Sequence, residues 1–177
     1  MFLFVDETGC DRKNAARKFG YSLCGFPAKS FRFFSRGKRI STIGLMSTTT
    51  FLDCYTIEGT VDGDVFYRFV QSSLLPHLMP FNGTNPNSIV ILDNCSIHHL
   101  DDVVDLIHSV GAHVIFLPPY SPDLMPIEQC FNKVKLFLQE HDAAVQSVTD
   151  LTMIITAAFA SKTSEDCIAW SADCGYL

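Results

Sequence analysis

Apolar runs that end at acids punctuate this chain. "FLFV" (residues 2–5) leads into Asp6-Glu7 and then Thr-Gly, which predicts a buried strand followed by a turn. "SIVILD" (88–93) is a continuous apolar run closed by Asp93, the pattern of a central parallel strand. "HVIFL" (113–117) predicts a further buried strand. "RISTIGLMSTTTFLDCYTIEG" (39–59) is rich in Ile, Thr, Leu and Tyr and predicts two antiparallel strands turning near 47–50. Residues 10–39 are mostly loop-like, with "FRFF" (31–34) long enough for one short strand.

Helical spacing occupies the intervals. Val65, Phe66, Phe69, Val70 and Leu74 share one helical face, with Asp62 or Asp64 placed to cap it. A loop is expected at 80–87. A second helix is expected over about 100–110, stopped by Gly111. Beyond a proline-rich loop come two more helical patterns, about 127–140 and 145–161. The stretch from Lys162 shows no clear periodicity. Antiparallel strands first and alternating strand and helix afterwards predict an α/β fold, a mixed sheet with helices packed on it.

Composition narrows the class. The 177 residues are 47% hydrophobic and 18% charged, which fits a single folded domain over 1–177. No apolar run reaches the length of a membrane span, so no membrane partner is expected. Seven scattered cysteines, odd in number and without a C-x-x-C pair, argue for reduced thiols rather than a disulfide framework or zinc knuckle. An intracellular location is therefore expected: the nucleus in a eukaryote, the cytoplasm or nucleoid in a bacterium. The net charge of −6 is unevenly spread. The first 39 positions hold nine Lys and Arg against three acids; the remaining 138 hold four against sixteen. Such a split predicts a basic face, with Arg12, Lys13, Arg36, Lys38 and Arg39 among its members, beside an acidic body.

Three acids stand where chemistry gathers in such folds. Asp6 and Asp93 each follow an apolar strand, and Glu128 sits on the first turn of a helix. The 34 residues between Asp93 and Glu128 hold one helix and one strand, enough chain to return to the same sheet edge. Converging carboxylates raise one another's pKa unless a cation joins them. The hard ions Mg²⁺ and Mn²⁺ suit oxygen ligands, and two of them can clamp both oxygens of an in-line phosphoryl displacement. "PPYSPDLMP" then serves as a stiff lever, because proline fixes φ and Pro126 suits a helix start. Glu7 is expected to be solvated, and His99 to be structural or exposed.

"FVDETG", "ILDNCSIHH" and "LPPYSPDLMPIEQCFNKVK" together resemble the catalytic blocks of mariner-like DDE transposases and their bacterial insertion-sequence relatives. The resemblance runs from residue 2 to about 161. It implies an RNase H-like five-stranded sheet, antiparallel in its first three strands and parallel later, flanked by helices. It implies a catalytic and metal-binding triad of Asp6, Asp93 and Glu128 with two Mg²⁺ or Mn²⁺ ions and no small-molecule cofactor. Asn94 and His98 match the family's D-N-x-x-x-H pattern as supporting or DNA-facing groups. "RGKR" (36–39) matches its basic turn. The implied partners are DNA, as transposon ends and target, with a homodimer as the assembly. Met125 replaces the Asn of the family's usual P-D-L-N-P, and Phe131 its usual Trp. The family's N-terminal helix-turn-helix region is absent from this sequence, so end-specific recognition is not expected of it.

Two activities remain open on these residues. One is a metal-dependent DNA endonuclease and strand transferase; the other is a catalytically silent DNA-binding or assembly module. A phosphatase-like hydrolase is disfavoured because Asp6 is followed by Glu7-Thr8 and not by the x-Asp such enzymes use.

Overall fold

A computed structural model describes residues 1–12, 20–29 and 38–177. Five strands form one sheet in the order β3-β2-β1-β4-β5. β1 (Phe2–Cys10), β2 (Ile40–Ser47) and β3 (Phe51–Glu58) are antiparallel neighbours. β4 (Ile89–Leu92) and β5 (His113–Phe116) add to β1 in parallel. The expected mixed sheet is therefore present. The expected strand at 31–34 lies outside the described residues.

Helices cover both faces. α1 (Gly63–Phe69) is capped by the Asp62 carboxylate, which accepts from the Val65 amide at 2.9 Å, and it runs on through a π turn (Val70–Leu74) and a short 3₁₀ turn (Leu75–His77). α2 (Asp101–Ser109) ends at Gly111, whose φ of 80° meets the need for a left-handed residue there. α3 (Pro126–Glu140), α4 (Asp142–Ser147), α5 (Leu151–Ala160) and α6 (Ser164–Asp173) complete the chain.

The two-residue period of the strands sorts the core. Leu3, Val5, Ile43, Leu45, Val90 and Leu92 face α1 and α2. Phe4, Met46, Ile89 and Ile91 face α3, α5 and α6. Consecutive residues of β1 thus serve opposite layers.

Three expectations change. β1 does not turn at Asp6; it continues to Cys10, because residues 3–10 pair in full with β2. The helix expected over 145–161 is two helices, divided where Asp150 caps α5 by accepting from the Thr152 amide at 2.9 Å. The stretch after Lys162 forms α6. Its apolar periodicity is weak, but a reciprocal cap of Thr163 and Asp166 starts it and Cys167 anchors it in the core.

Gly44 sets the depth of α3. It pairs with Asp6 across β1 and β2, and a Cβ there would lie 3.0 Å from Ile127 Cδ1 and 3.0 Å from Phe131 Cε1. A bare backbone lets α3 settle onto the sheet beside Asp6. Gly44→Ala should therefore cost about 1–3 kcal/mol through overpacking. Urea unfolding of that variant should show a lower midpoint with an unchanged slope; an unaltered midpoint would mean that α3 does not press on Gly44.

Candidate active site

The three predicted acids line one cavity of about 420 Å³, together with Asn94, Cys95, Met125 and the proline loop at 117–122. Each arrives by a different element. Asp6 lies mid-strand on β1 and is 7% exposed. Asp93 directly follows β4, and Glu128 occupies the first turn of α3. Pro126 opens α3, and the Glu128 amide donates to the Met125 carbonyl at 3.0 Å. Met125 is 2% exposed and belongs to the core, so the side chain that replaces the family's Asn anchors the loop by packing.

Asp6 is an acid in an expensive position. Burial pushes its carboxyl up to about 8, against the Glu7 amide that donates to its Oδ1 at 2.7 Å; the charges of Glu7, Glu128 and Asp93 push it further.

Behind the cavity lies an ion network centred on His98. This imidazole is fully buried and packs at a tilt against the Phe66 ring, 4.5 Å between centroids. Its Nδ1 lies 2.7 Å from Asp93 Oδ1 and its Nε2 lies 2.9 Å from Glu7 Oε1. Burial would lower its pKa, but hydrogen bonds to Asp93 and Glu7 and their charges outweigh it and push the ring up to about 10. The same bond from His98 leads in holding Asp93 below the usual carboxylate range, against partial burial and with help from the Cys95 amide at 3.0 Å. The alternation of β1 explains the arrangement. Asp6 faces the cavity, while Glu7 faces the α1 layer and meets His98. Glu7 is thus a network member with its side chain 18% exposed, not the solvated residue expected.

The remaining candidates separate. Asn94 is exposed, lines the cavity and bonds His99 at 2.6 Å, while His99 stacks on Phe116. Arg12 is drawn inward: its guanidinium donates to the carbonyls of Val145 at 2.8 Å and Val148 at 2.5 Å, closing the end of α4. Lys38 is exposed and pairs with Glu58 at 2.5 Å. The Arg39 guanidinium lies over Gly9, where a Cβ would come within 2.8 Å of it. Lys13 and Arg36 lie outside the described residues, as do Phe31, Phe33 and Phe34. Sequence reading overlooked Tyr120. Its side chain is fully exposed at the cavity rim and its φ is 58°, unusual for a bulky residue. The signal was its place between Pro119 and Ser121-Pro122.

A divalent cation fits this chemistry. The donors are all carboxylates, and the charges of Glu7, Glu128 and Asp93 all press on buried Asp6, while His98 pairs with Glu7 and Asp93. Among the described residues, no three His, Cys, Asp or Glu side chains are already arranged to hold a metal ion. The carboxylates share a cavity without closing on a common point.

A family model described as DDE superfamily endonuclease matches residues 1–152. No curated protein matches in sequence. Among solved structures, the Mos1 strand transfer complex aligns with a TM-score of 0.69 and 21% identity, over 98% of this chain and 51% of that one. The Mos1 mariner paired end complex with Mn aligns at 0.67 and 20%, over 98% and 52%. The Mos1 transposase catalytic domain with Raltegravir and Mg aligns at 0.62 and 16%, over 98% and 77%. The chain spans about half the length of the first two. At these identities the likeness concerns the fold.

Two stability measurements test the electrostatics. A folded-state pKa raised above the unfolded value means that Asp6 binds its proton more tightly when folded, so its contribution to stability declines as pH rises from about 4 to about 8. Asp6→Asn should remove that decline and, at pH 8 without divalent ions, raise stability by about 1–3 kcal/mol, roughly 2–4 °C in Tm for each kcal/mol. Thermal unfolding across this pH range checks it; a destabilised variant would show that Asp6 is not under strain. His98→Ala should do the reverse and lower stability by about 2–4 kcal/mol, since it opens a void beneath Phe66 and leaves Glu7 without its partner.

Proposed function

The chain belongs to the DDE superfamily endonucleases, and we propose that it is the catalytic core of a mariner-like transposase, a metal-dependent DNA endonuclease and strand transferase. The observation that carries this reading is the delivery of Asp6, Asp93 and Glu128 from three separate elements to one open cavity. The relatives in fold support it: their names describe a strand transfer complex, a paired end complex with Mn and a catalytic domain with Mg.

Asp6, Asp93 and Glu128 would hold two Mg²⁺ or Mn²⁺ ions. When bound, such ions neutralise phosphate charge and favour attack of an oxygen nucleophile, water first and then a DNA 3′-hydroxyl, on phosphorus. The chain supplies positioning. His98 holds Asp93 ionised and oriented, and its own position is fixed by Glu7 on the other side. Bound cations would relieve the burial and charge crowding at Asp6. The proline loop walls the cavity and places Glu128 at its rim. Asn94 and Tyr120 are exposed where DNA would enter, and the Tyr120 ring offers a face on which a base can stack. Lys38, in an exposed pair with Glu58, and exposed Arg39 would face the DNA backbone, whereas Arg12 serves the fold.

Supercoiled plasmid incubated with the protein should be nicked in Mg²⁺ or Mn²⁺ and left intact in EDTA. Asp93→Ala and Glu128→Ala should each reduce the rate by at least about 100-fold. DNA binding without nicking in either ion would instead identify the silent module. Tyr120→Ala should raise KM for DNA about tenfold and leave kcat nearly unchanged, as expected for a lost stacking surface; a fall in kcat alone would contradict that role.

A further inference from the structure

We infer that Tyr176 is a positioning residue for the active-site loop: it clasps the turn before α3 and thereby fixes where Glu128 points. Three observations meet here. The Tyr176 hydroxyl donates to the Leu124 carbonyl at 2.9 Å. Leu124 closes the 3₁₀ turn Pro122–Leu124, two residues before Pro126 opens α3. The Tyr176 ring packs edge-on against Phe4 at 4.7 Å and Phe2 at 5.3 Å, on the strand that carries Asp6. One side chain therefore ties the strand of the first acid to the loop of the third.

Its own position is well determined. α6 ends in a Schellman cap: Gly175 adopts φ 82°, its amide donates to the Ala172 carbonyl at 3.0 Å, and the Tyr176 amide donates to the Ser171 carbonyl at 2.9 Å. α6 is in turn held to α3 by Lys133–Asp166 at 2.5 Å and by buried Cys167. A second contact runs alongside, from Gln129 Nε2 to Cys174 Sγ at 3.9 Å. Tyr176 itself lies beyond residues 1–152, the part matched by the endonuclease family, whereas the groups it holds lie within it. Its structural role stands on these contacts alone; its catalytic consequence rests on the function proposed above.

Tyr176→Phe keeps the ring and deletes the hydroxyl. Hydrogen exchange followed by mass spectrometry, without metal or DNA, should show residues 121–128 exchanging about fivefold faster, with α1 unchanged. Ile107→Val, a core trim in α2 within the opposite hydrophobic layer from Met125 and Ile127, should lower Tm without changing exchange at 121–128. Unchanged exchange in Tyr176→Phe overturns the clasp, whatever the protein does to DNA. In the nicking assay, Tyr176→Phe should require several-fold more Mn²⁺ for half-maximal rate, while Ile107→Val should match the wild type. A normal Mn²⁺ requirement together with faster exchange would overturn the positioning of Glu128. A wild-type protein that does not nick DNA, with the exchange result intact, would remove the proposed function and leave the clasp standing.

Discussion

A carboxylate held out of water among other carboxylates is the constraint around which this molecule is arranged. Asp6 sits within a fully paired strand, almost without solvent, and feels the charges of Glu7, Asp93 and Glu128. Folding alone would favour a neutral residue there. The chain relieves part of the repulsion with one buried imidazole, His98, shared between Glu7 and Asp93. It leaves Asp6 and Glu128 on an open cavity whose lining, among the described residues, holds no Lys or Arg side chain. That crowding of carboxylates is what the proposed divalent cations would relieve.

The fold carries this cluster through backbone geometry. Strand alternation sends Asp6 and Glu7 to opposite layers, so adjacent acids acquire different tasks. Gly44, paired with Asp6, lets α3 approach the sheet. The proline loop then converts the start of α3 into the position of Glu128, and Tyr176 braces that loop from α6. Glu128 sits between buried Ile127 and Cys130 and is itself only partly buried. Such a carboxylate can complete a metal site without having been assembled in advance.

Much of this was legible along the chain. Apolar runs ending at acids located β4 and Asp93, and the Pro-rich block located the start of α3. What was misread depended on contacts distant in sequence. Nothing local in "DETG" says that β1 continues to Cys10; its partner β2 begins thirty residues after that strand ends. Glu7 resembled a surface acid because its partner, His98, lies 91 positions away. Arg12 resembled a DNA-facing cation until α4 presented its free carbonyls. α6 was missed because its apolar spacing is weak, although Thr163, Asp166 and Gly175 marked both of its ends.

Charge, packing and loop stiffness all converge on the claim that Asp6, Asp93 and Glu128 gather divalent cations between them. The most direct measurement is anomalous scattering at the manganese edge from crystals soaked in Mn²⁺. The account predicts density for at least one ion with oxygens of Asp6 and Asp93 at about 2.1 Å and Glu128 drawn toward it. Saturating Mn²⁺ that leaves the cavity without an anomalous peak, or places the ion on other residues, would contradict it.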